Sequence, residues 1–349
     1  MKRAGLLVMA GMLVMSFTGC SVGSDIDDGS SVMQPIEQNT EQSADNEQNT
    51  DGEQTVENNS DAAAGDALEA FIAGENTLSF KYYKDNVFVD SQYLSYEDET
   101  ISHIPTDKEY TLSELKDTLN EIFHDSNNFY APGDVEGMKY AYLDCGADGV
   151  KELALSITGP FVEPESDMTY IIKEIDSKLE VVYAFASWSR SESNVNEYGL
   201  VTGGGSGGAT IHGYSTGYVD ADGKYQYGFY EEEQADVQEF AYNIEHDEFD
   251  TAGAAEDICV YSLRLTPTSQ GDYTPEFYSY TAFDYDANKE IEDPNLYTDS
   301  PYKTVMDSFK GITFITMDEL HKKEDEKLAS IGVTDQIKNG GPIEFKDIQ

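Results

Sequence analysis

The feature that most constrains this chain is a series of short apolar segments separated by tight turns, between residues 138 and 283. The segments alternate apolar and polar residues or form short apolar runs, and they are rich in Tyr, Val and Ile, as β-strands are. In chain order the predicted strands are 138–143, 150–157, 168–175, 179–188, 210–218, 225–230, 258–266 and 277–283. Most connections are short, as at Asp176-Ser177-Lys178, so we expect a mostly antiparallel meander.

Helical patterns flank these strands. Thr111 with Glu114, and Thr316 with Glu319, have the spacing of a capping box. The first pair opens a helix whose apolar residues recur at helical intervals, and the second opens a charged helix that runs to about residue 330. The segment 67–73 predicts a shorter helix, 236–249 is either helix or loop, and 343–345 is a candidate edge strand.

Residues 67–349 are therefore predicted to form a β-rich α+β globular domain, either single or divided into two small subdomains. The segment before it differs in composition. Residues 21–66 are mostly Asp, Glu, Asn, Gln, Ser, Thr and Gly, without Lys or Arg. Such a segment buries too little apolar surface to offset the entropy of ordering, which predicts a disordered acidic linker. As a coil it would span roughly 35–40 Å.

The N-terminus has the layout of an export signal. Lys2 and Arg3 precede an apolar run at 4–15, which is shorter than the roughly 20 residues of a membrane-spanning helix, and small residues lead to Cys20. The motif Ser16-Phe17-Thr18-Gly19-Cys20 resembles the lipobox of bacterial lipoproteins, although Phe17 stands where Leu is usual. The resemblance implies a signal peptide at 1–19, a lipid on Cys20 and a location on the outer face of the cell membrane.

Charge restricts the partners of the chain. With 68 acidic and 21 basic residues, its formal net charge is −47 at pH 7. A polyanion of this kind repels the phosphates of nucleic acids and anionic membrane surfaces. Nucleic acid is therefore excluded as a partner, whereas divalent cations and basic partners are favoured.

One loop between two predicted strands has the pattern of a calcium site. In Asp144-Cys145-Gly146-Ala147-Asp148-Gly149-Val150-Lys151-Glu152, acids fall at positions one, five and nine, with a glycine at six. The pattern resembles the strand-loop-strand calcium element of integrin-type repeats and of exported lipoproteins of Firmicutes. The resemblance implies Asp144, Asp148, Glu152 and the Val150 carbonyl as calcium ligands. Gly146 replaces a third acid of the pattern, and a turn without metal is the alternative.

A second, weaker calcium candidate lies after the last predicted strand. Asp284, Asp286, Asn288 and Glu292 place oxygen ligands at positions one, three, five and nine, but Lys289 occupies the position of the turn glycine.

The glycine run 203–208 is predicted to be a flexible loop or a recognition surface. Ser206 within it, with His212 nearby, would suit a serine hydrolase only if a strand preceded the serine and a helix followed it. The 24 tyrosines suit strands, and exposed ones suit contacts with glycans, peptides or proteins. We therefore expect a membrane-anchored binding or surface-presented module. The alternative is an extracytoplasmic hydrolase of a sugar or peptide polymer.

Overall fold

The computed structural model describes residues 65–89, 94–125, 133–242, 244–267, 274–285 and 287–348. These residues belong to one compact unit, Asp61–Gln349. The predicted signal peptide, Cys20 and the acidic linker as far as residue 64 lie outside the described residues.

Thirteen strands in the described residues form two sheets. The first sheet has the order β1-β5-β4-β3-β2-β13, and the second has the order β12-β11-β10-β9-β8-β7-β6 once the strands are numbered along the chain. Their bounds are β1 Leu78–Ser79, β2 Gly137–Leu143, β3 Glu152–Gly159, β4 Ser166–Ile175, β5 Lys178–Ser187, β6 Ser191–Val195, β7 Leu200–Ser206, β8 Ile211–Val219, β9 Tyr225–Gln234, β10 Ile258–Arg264, β11 Phe277–Asp284, β12 Lys289–Glu290 and β13 Lys346–Asp347. Neighbouring strands pair antiparallel except β1 with β5, so the predicted antiparallel, β-rich α+β fold is confirmed.

Helices precede, interrupt and follow the strands. They are α1 Asp66–Ile72, α2 Lys81–Asn86, α3 Tyr96–His103, α4 Leu112–His124, α5 Val237–Ala241, α6 Pro301–Met306, α7 Met317–Ser330 and α8 Asp335–Lys338, with a 3₁₀ helix at Gly253–Asp257. None of the helices in the described residues has the length and apolar character needed to span a membrane.

Both predicted capping boxes are present. The Thr111 side chain accepts a hydrogen bond from the Glu114 N–H at the start of α4, and the Glu114 carboxylate accepts one from the Thr111 N–H. Thr316 and Glu319 repeat this exchange at the start of α7. Each box satisfies N–H groups that the first helical turn leaves unpaired, which is why both helices begin where the sequence places them.

The apolar faces assemble the elements in layers. Helices α1–α4 pack on one face of the first sheet, and the other face of that sheet packs on β6–β8 of the second. Between the two sheets the rings of Tyr183 and Tyr225 stack with their centroids 4.1 Å apart. On the far side of the second sheet, α7 and the segment after it pack on Leu200 and Tyr218. Helices α5 and α6 cover the β10–β11 end.

Two local predictions were wrong. Of the two alternatives for the glycine run, the flexible loop is wrong for its first part, because Gly203, Gly204 and Gly205 lie in β7 and pair with β6 and β8, whereas the recognition surface stays a prediction. Two flanking strands hold this backbone extended, so its pairing does not depend on side-chain packing. The edge strand near the C-terminus comprises Lys346 and Asp347 instead of 343–345.

The chain passes from the first sheet to the second immediately after β5. Trp188, Ser189 and Arg190 form this connection, and Trp188 and Ser191 exchange two backbone hydrogen bonds of 2.8 and 3.0 Å. A tight turn therefore carries the tryptophan to the junction of the two sheets.

Candidate functional site

Trp188 is held in place from two sides. The ring of Tyr96 on α3 meets it edge-on, with centroids 5.0 Å apart. The turn that follows is fixed by the Glu163 carboxylate, which accepts the Ser189 N–H at 2.7 Å and the Ser189 hydroxyl at 3.0 Å. Arg190 then reaches β7, where its guanidinium donates to the Ser206 carbonyl at 3.4 Å. The tryptophan is thus presented by a turn that its neighbours fix in place.

An open cleft of about 580 Å³, which we call the Trp188 cleft, surrounds this turn. Trp188 is its one aromatic lining residue, and the others are polar, charged or glycine. They are Glu165, Asp167, Ser187, Ser189, Arg190, Ser191, Glu192, Gly204 and Ser206. Three carboxylates and one guanidinium make the lining acidic.

A second depression of about 340 Å³, which we call the Tyr214 groove, adjoins the first. It is lined by Glu192, Asn194, Thr202, Gly203, Gly204 and Tyr214, so Glu192 and Gly204 belong to both depressions. Gly204 and Tyr214 are opposite each other in the β7–β8 register. A Cβ at Gly204 would lie 3.4 Å from the tyrosine ring, and Tyr214 is 43% exposed. Because Gly204 has no side chain, the ring of Tyr214 stays accessible on the sheet surface. The ring therefore provides a second aromatic platform.

The strand register also puts Ser206, His212 and Glu233 in one row. Ser206 pairs with His212 across β7–β8, and His212 pairs with Glu233 across β8–β9, so the three side chains share a face. The hydrogen bonds of two of them lead elsewhere: the Ser206 hydroxyl donates to the Gly208 carbonyl at 2.7 Å, and the Glu233 carboxylate accepts from the Tyr214 hydroxyl at 3.4 Å. A hairpin turn follows the serine and leads into β8. The strand-turn-helix arrangement of a nucleophile elbow is therefore not formed.

The first calcium candidate forms a tight turn whose carboxylates bond within the loop. Asp144 accepts the Gly149 N–H at 2.9 Å, and Asp148 accepts the Val150 N–H at 2.8 Å. Gly146 and Gly149 have φ of +86°, which favours glycine at both positions. Val150 is exposed, whereas Glu152 is fully buried. Calcium binding by this loop stays a prediction.

Glu152 already has a cationic partner in this structure. Its carboxylate forms an ion pair with the Lys173 ammonium on β4 and accepts the Cys145 N–H at 2.8 Å. A calcium ion in the loop would therefore have to displace a lysine. Burial raises the pKa of the Cys145 thiol, and both Cys145 and Cys259 are free.

The second calcium candidate is described only in part, because Asp286 lies outside the described residues. Asp284 accepts the Ala287 N–H at 2.8 Å, Asn288 adopts a φ of +50°, and Glu292 is exposed. Lys289, at the position of the missing glycine, pairs with Asp284 across β11–β12.

The sequence analysis did not predict a cluster of three side chains of the kinds that bind metal ions. Glu231 on β9 and His321 and Glu324 on α7 have ligand atoms within 4.8 Å of one another. It is the one such group of three or more His, Cys, Asp or Glu residues within the described part of the chain, so the carboxylates of the first calcium candidate do not converge in this way. Burial and repulsion by Glu231 raise the pKa of Glu324 to about 8.

The part of this cluster on α7 could have been found in the sequence. His321 and Glu324 are three residues apart in a predicted helix, so their side chains share a face. Glu231 had no distinguishing signal among 68 acidic residues. Trp188 was predicted only as the end of a strand, and its place in a cleft depends on β7, which the sequence did not indicate.

Comparison with protein families, with curated proteins and with solved structures finds no match for this chain.

Proposed function

We propose that this protein is a binding protein that holds a glycan chain in the Trp188 cleft and the adjoining Tyr214 groove. The observation that carries the proposal is the setting of Trp188, the one tryptophan of the chain, in an open cleft otherwise lined by hydrogen-bonding groups. A sugar ring has an apolar C–H face and a rim of hydroxyl groups. An aromatic ring fits the face, and serine and carboxylate oxygens fit the rim.

The shape of the surface favours an extended ligand over a small one. The two depressions share residues and are both open, whereas sites for small molecules usually enclose most of the ligand. Trp188 in the cleft and Tyr214 in the adjoining groove provide two aromatic platforms, to which successive rings of a chain could bind.

The charge of the surface favours a glycan that carries amino groups. Glu165, Asp167 and Glu192 line the cleft against the single guanidinium of Arg190, and the whole chain has a formal charge of −47. Carboxylates accept strong hydrogen bonds from ammonium groups, whereas an anionic polymer would be repelled.

The location that we propose comes from the N-terminal motif. A lipid on Cys20 would hold the domain at the outer face of the cell membrane, and the acidic segment that follows would separate it from the lipid surface. Extracellular glycans would then be within reach of the cleft. Replacing Cys20 with Ala should release the protein from the membrane fraction, and incorporation of labelled palmitate should be lost with it.

The competing function is hydrolysis of a sugar or peptide polymer. The row Ser206, His212 and Glu233 has the order of a nucleophile, a base and an orienting acid. The Ser206 hydroxyl donates to Gly208 instead, and a hairpin replaces the helix that such a serine needs. Binding without cleavage is therefore the proposal that the geometry favours.

Fluorescence of Trp188 provides a direct test, because no other tryptophan contributes to the signal. We expect soluble glucosamine oligomers to shift the emission in a saturable way and N-acetylated oligomers to bind more weakly. Calorimetry on Glu165→Gln and Tyr214→Ser should show affinity reduced about tenfold. Tyr242→Ser is the matched control, since Tyr242 is exposed and lines neither depression.

Two results would contradict the proposal. Saturable binding of a lysine oligopeptide but of no glycan would assign the cleft to basic peptides. Release of shortened oligomers that Ser206→Ala abolishes would make the protein a hydrolase.

A further inference from the structure

The cluster of Glu231, His321 and Glu324 joins two elements that are far apart in the sequence. Glu231 lies in β9, next to Tyr214 in the β8–β9 register, and so on the face of the second sheet that also carries the Tyr214 groove. His321 and Glu324 lie about one turn apart on α7, which packs on this face. The three ligand atoms lie within 4.8 Å of one another.

Close packing fixes the helix against the strand. Leu320 and Leu328 of α7 are buried, and Gly228 of β9 provides the space for Leu328. A Cβ at Gly228 would lie 3.1 Å from the Leu328 side chain and 2.5 Å from the Thr216 carbonyl oxygen. The cluster is therefore built on rigid elements, which hold ligand groups more precisely than loops do.

A shielded polar atom in this cluster has no cationic partner among the described residues. The Oε2 atom of Glu231 is shielded from solvent and receives no hydrogen bond in the described geometry. The groups beside Glu231 are the Glu324 carboxyl, which lies within hydrogen-bonding reach, and the His321 imidazole. Leaving a buried carboxylate oxygen unpaired is costly, so buried oxygens of this kind are normally satisfied by a donor or a cation.

No lysine among the described residues forms an ion pair with either glutamate. Lys338 pairs with Asp325, and Lys323 lies near Glu326 and over the ring of Phe277. The contrast is Glu152, a fully buried glutamate, which has the ammonium of Lys173, whereas Glu231 is partly buried. At Glu231 the fold supplies a second carboxylate and an imidazole instead.

We propose that Glu231, His321 and Glu324 bind one Zn²⁺ ion, with the remaining coordination position open to solvent beside the exposed His321. Imidazole nitrogen with carboxylate oxygens is a ligand set of zinc, whereas calcium and magnesium take oxygen ligands. Zinc needs ligand atoms at roughly 2.0–2.2 Å from the ion. The three ligand atoms, which lie within 4.8 Å of one another, would close around the ion by rotation of their side chains, of which that of His321 is exposed. The site is separate from both calcium candidates and does not depend on the proposed glycan function.

The test uses the full chain after removal of metal by a chelator. Zinc would be titrated against a chromophoric competitor at physiological salt with excess magnesium and calcium, which occupy nonspecific carboxylates of this acidic chain. We expect one zinc ion per chain. His321→Ala and Glu324→Gln should each weaken binding by about tenfold or more. The control is His124→Ala, which removes an exposed histidine that pairs with the single carboxylate of Asp134.

Cobalt gives a readout that a merely structural effect would not change. Co²⁺ in a site of low coordination number absorbs visible light, and this band should appear in the original chain and in His124→Ala but not in His321→Ala. Circular dichroism of each variant separates loss of the site from loss of the fold. A zinc affinity or a cobalt spectrum that His321→Ala leaves unchanged would overturn the proposal.

Discussion

The ammonium group of Lys173 on β4 forms an ion pair with the carboxylate of Glu152, whose side chain has 0% exposed surface. The lysine side chain is itself only 12% exposed, and the same carboxylate accepts the Cys145 N–H at 2.8 Å. This pair connects the first calcium candidate loop to the middle of the first sheet. Its lysine comes from a different strand, 21 residues further along the chain.

Replacing Lys173 with Met should destabilise the domain strongly, because it leaves Glu152 buried without a partner charge. We expect a loss of about 3–5 kcal/mol in the free energy of unfolding, measured in denaturant. Lys224→Met is the control, since Lys224 and its partner Asp222 are exposed and such pairs contribute about 1 kcal/mol or less. Equal losses in the free energy of unfolding for the two variants would show that the buried ion pair of Lys173 contributes no more than the exposed pair of Lys224.

Calcium should stabilise the Lys173→Met variant more than the original chain. With the lysine absent, a calcium ion would no longer have to displace a cation from Glu152, although Asp144 and Asp148 would still have to turn toward the ion. We expect Tm of the variant to rise with calcium and to fall again with a chelator, and we expect Asp148→Ala to abolish the rise. If calcium changes Tm in neither protein, the loop does not bind calcium.

Tyr170→Phe should leave the domain as stable as before or stabilise it by about 1 kcal/mol. The Tyr170 ring is fully buried against Phe80, and its hydroxyl has no hydrogen-bond partner among the described residues. Tyr110→Phe is the matched comparison, because the equally buried Tyr110 donates its hydroxyl to the Pro105 carbonyl at 2.6 Å. That variant should lose about 1 kcal/mol. A large loss in Tyr170→Phe would reveal a partner of its hydroxyl.

The stability of the domain should depend on pH in opposite directions through two glutamates. Burial raises the pKa of Glu97, whose carboxylate accepts the Ala186 N–H at 2.6 Å, above the ordinary 4.5. The native protein therefore holds this proton to a higher pH than the unfolded chain, and stability falls as the pH rises above about 4.5. Glu97→Gln should reduce this fall and stabilise the protein at neutral pH.

Glu114 provides the opposite case. Its hydrogen bonds with Thr111 in the capping box lower the pKa of its carboxyl below 4.5. The contribution of Glu114 is complete above that value and is lost as the pH falls through the lowered pKa. Chemical unfolding of both Gln variants between about pH 3 and pH 8, a range on both sides of the ordinary carboxyl pKa, would test these signs. The same slope in both variants would contradict them.

The meander from β2 to β5 was predictable because each strand buries one face or both and each connection is local. The turn between β4 and β5 shows this, since Asp176 and Ser177 have φ of +51° and +64°, as a tight hairpin requires. The strand β7 was not predictable in this way. Its glycines have low strand preference, and β6 and β8 on either side decide their conformation.

The candidate sites also differ in how far the sequence could predict them. The sequence pointed to the turn at 144–152, because glycines and aspartates there form bonds within a few residues. It did not indicate that Glu152 is held by Lys173, that Trp188 and Ser206 line one cleft, or that Glu231 lies near His321. Each of these pairs joins residues from different strands or helices.

The sequence by itself determined the class of fold, the helix starts at Thr111 and Thr316 and the tight turns. These depend on hydrogen bonds and apolar spacing within a few residues, so the order of residues contains the necessary information. Only the tertiary structure decided which carboxylates have cationic partners and which aromatic rings line a cleft. Such pairings depend on strand register and on helix packing against the sheets, where a shift of one residue moves a side chain to the opposite face.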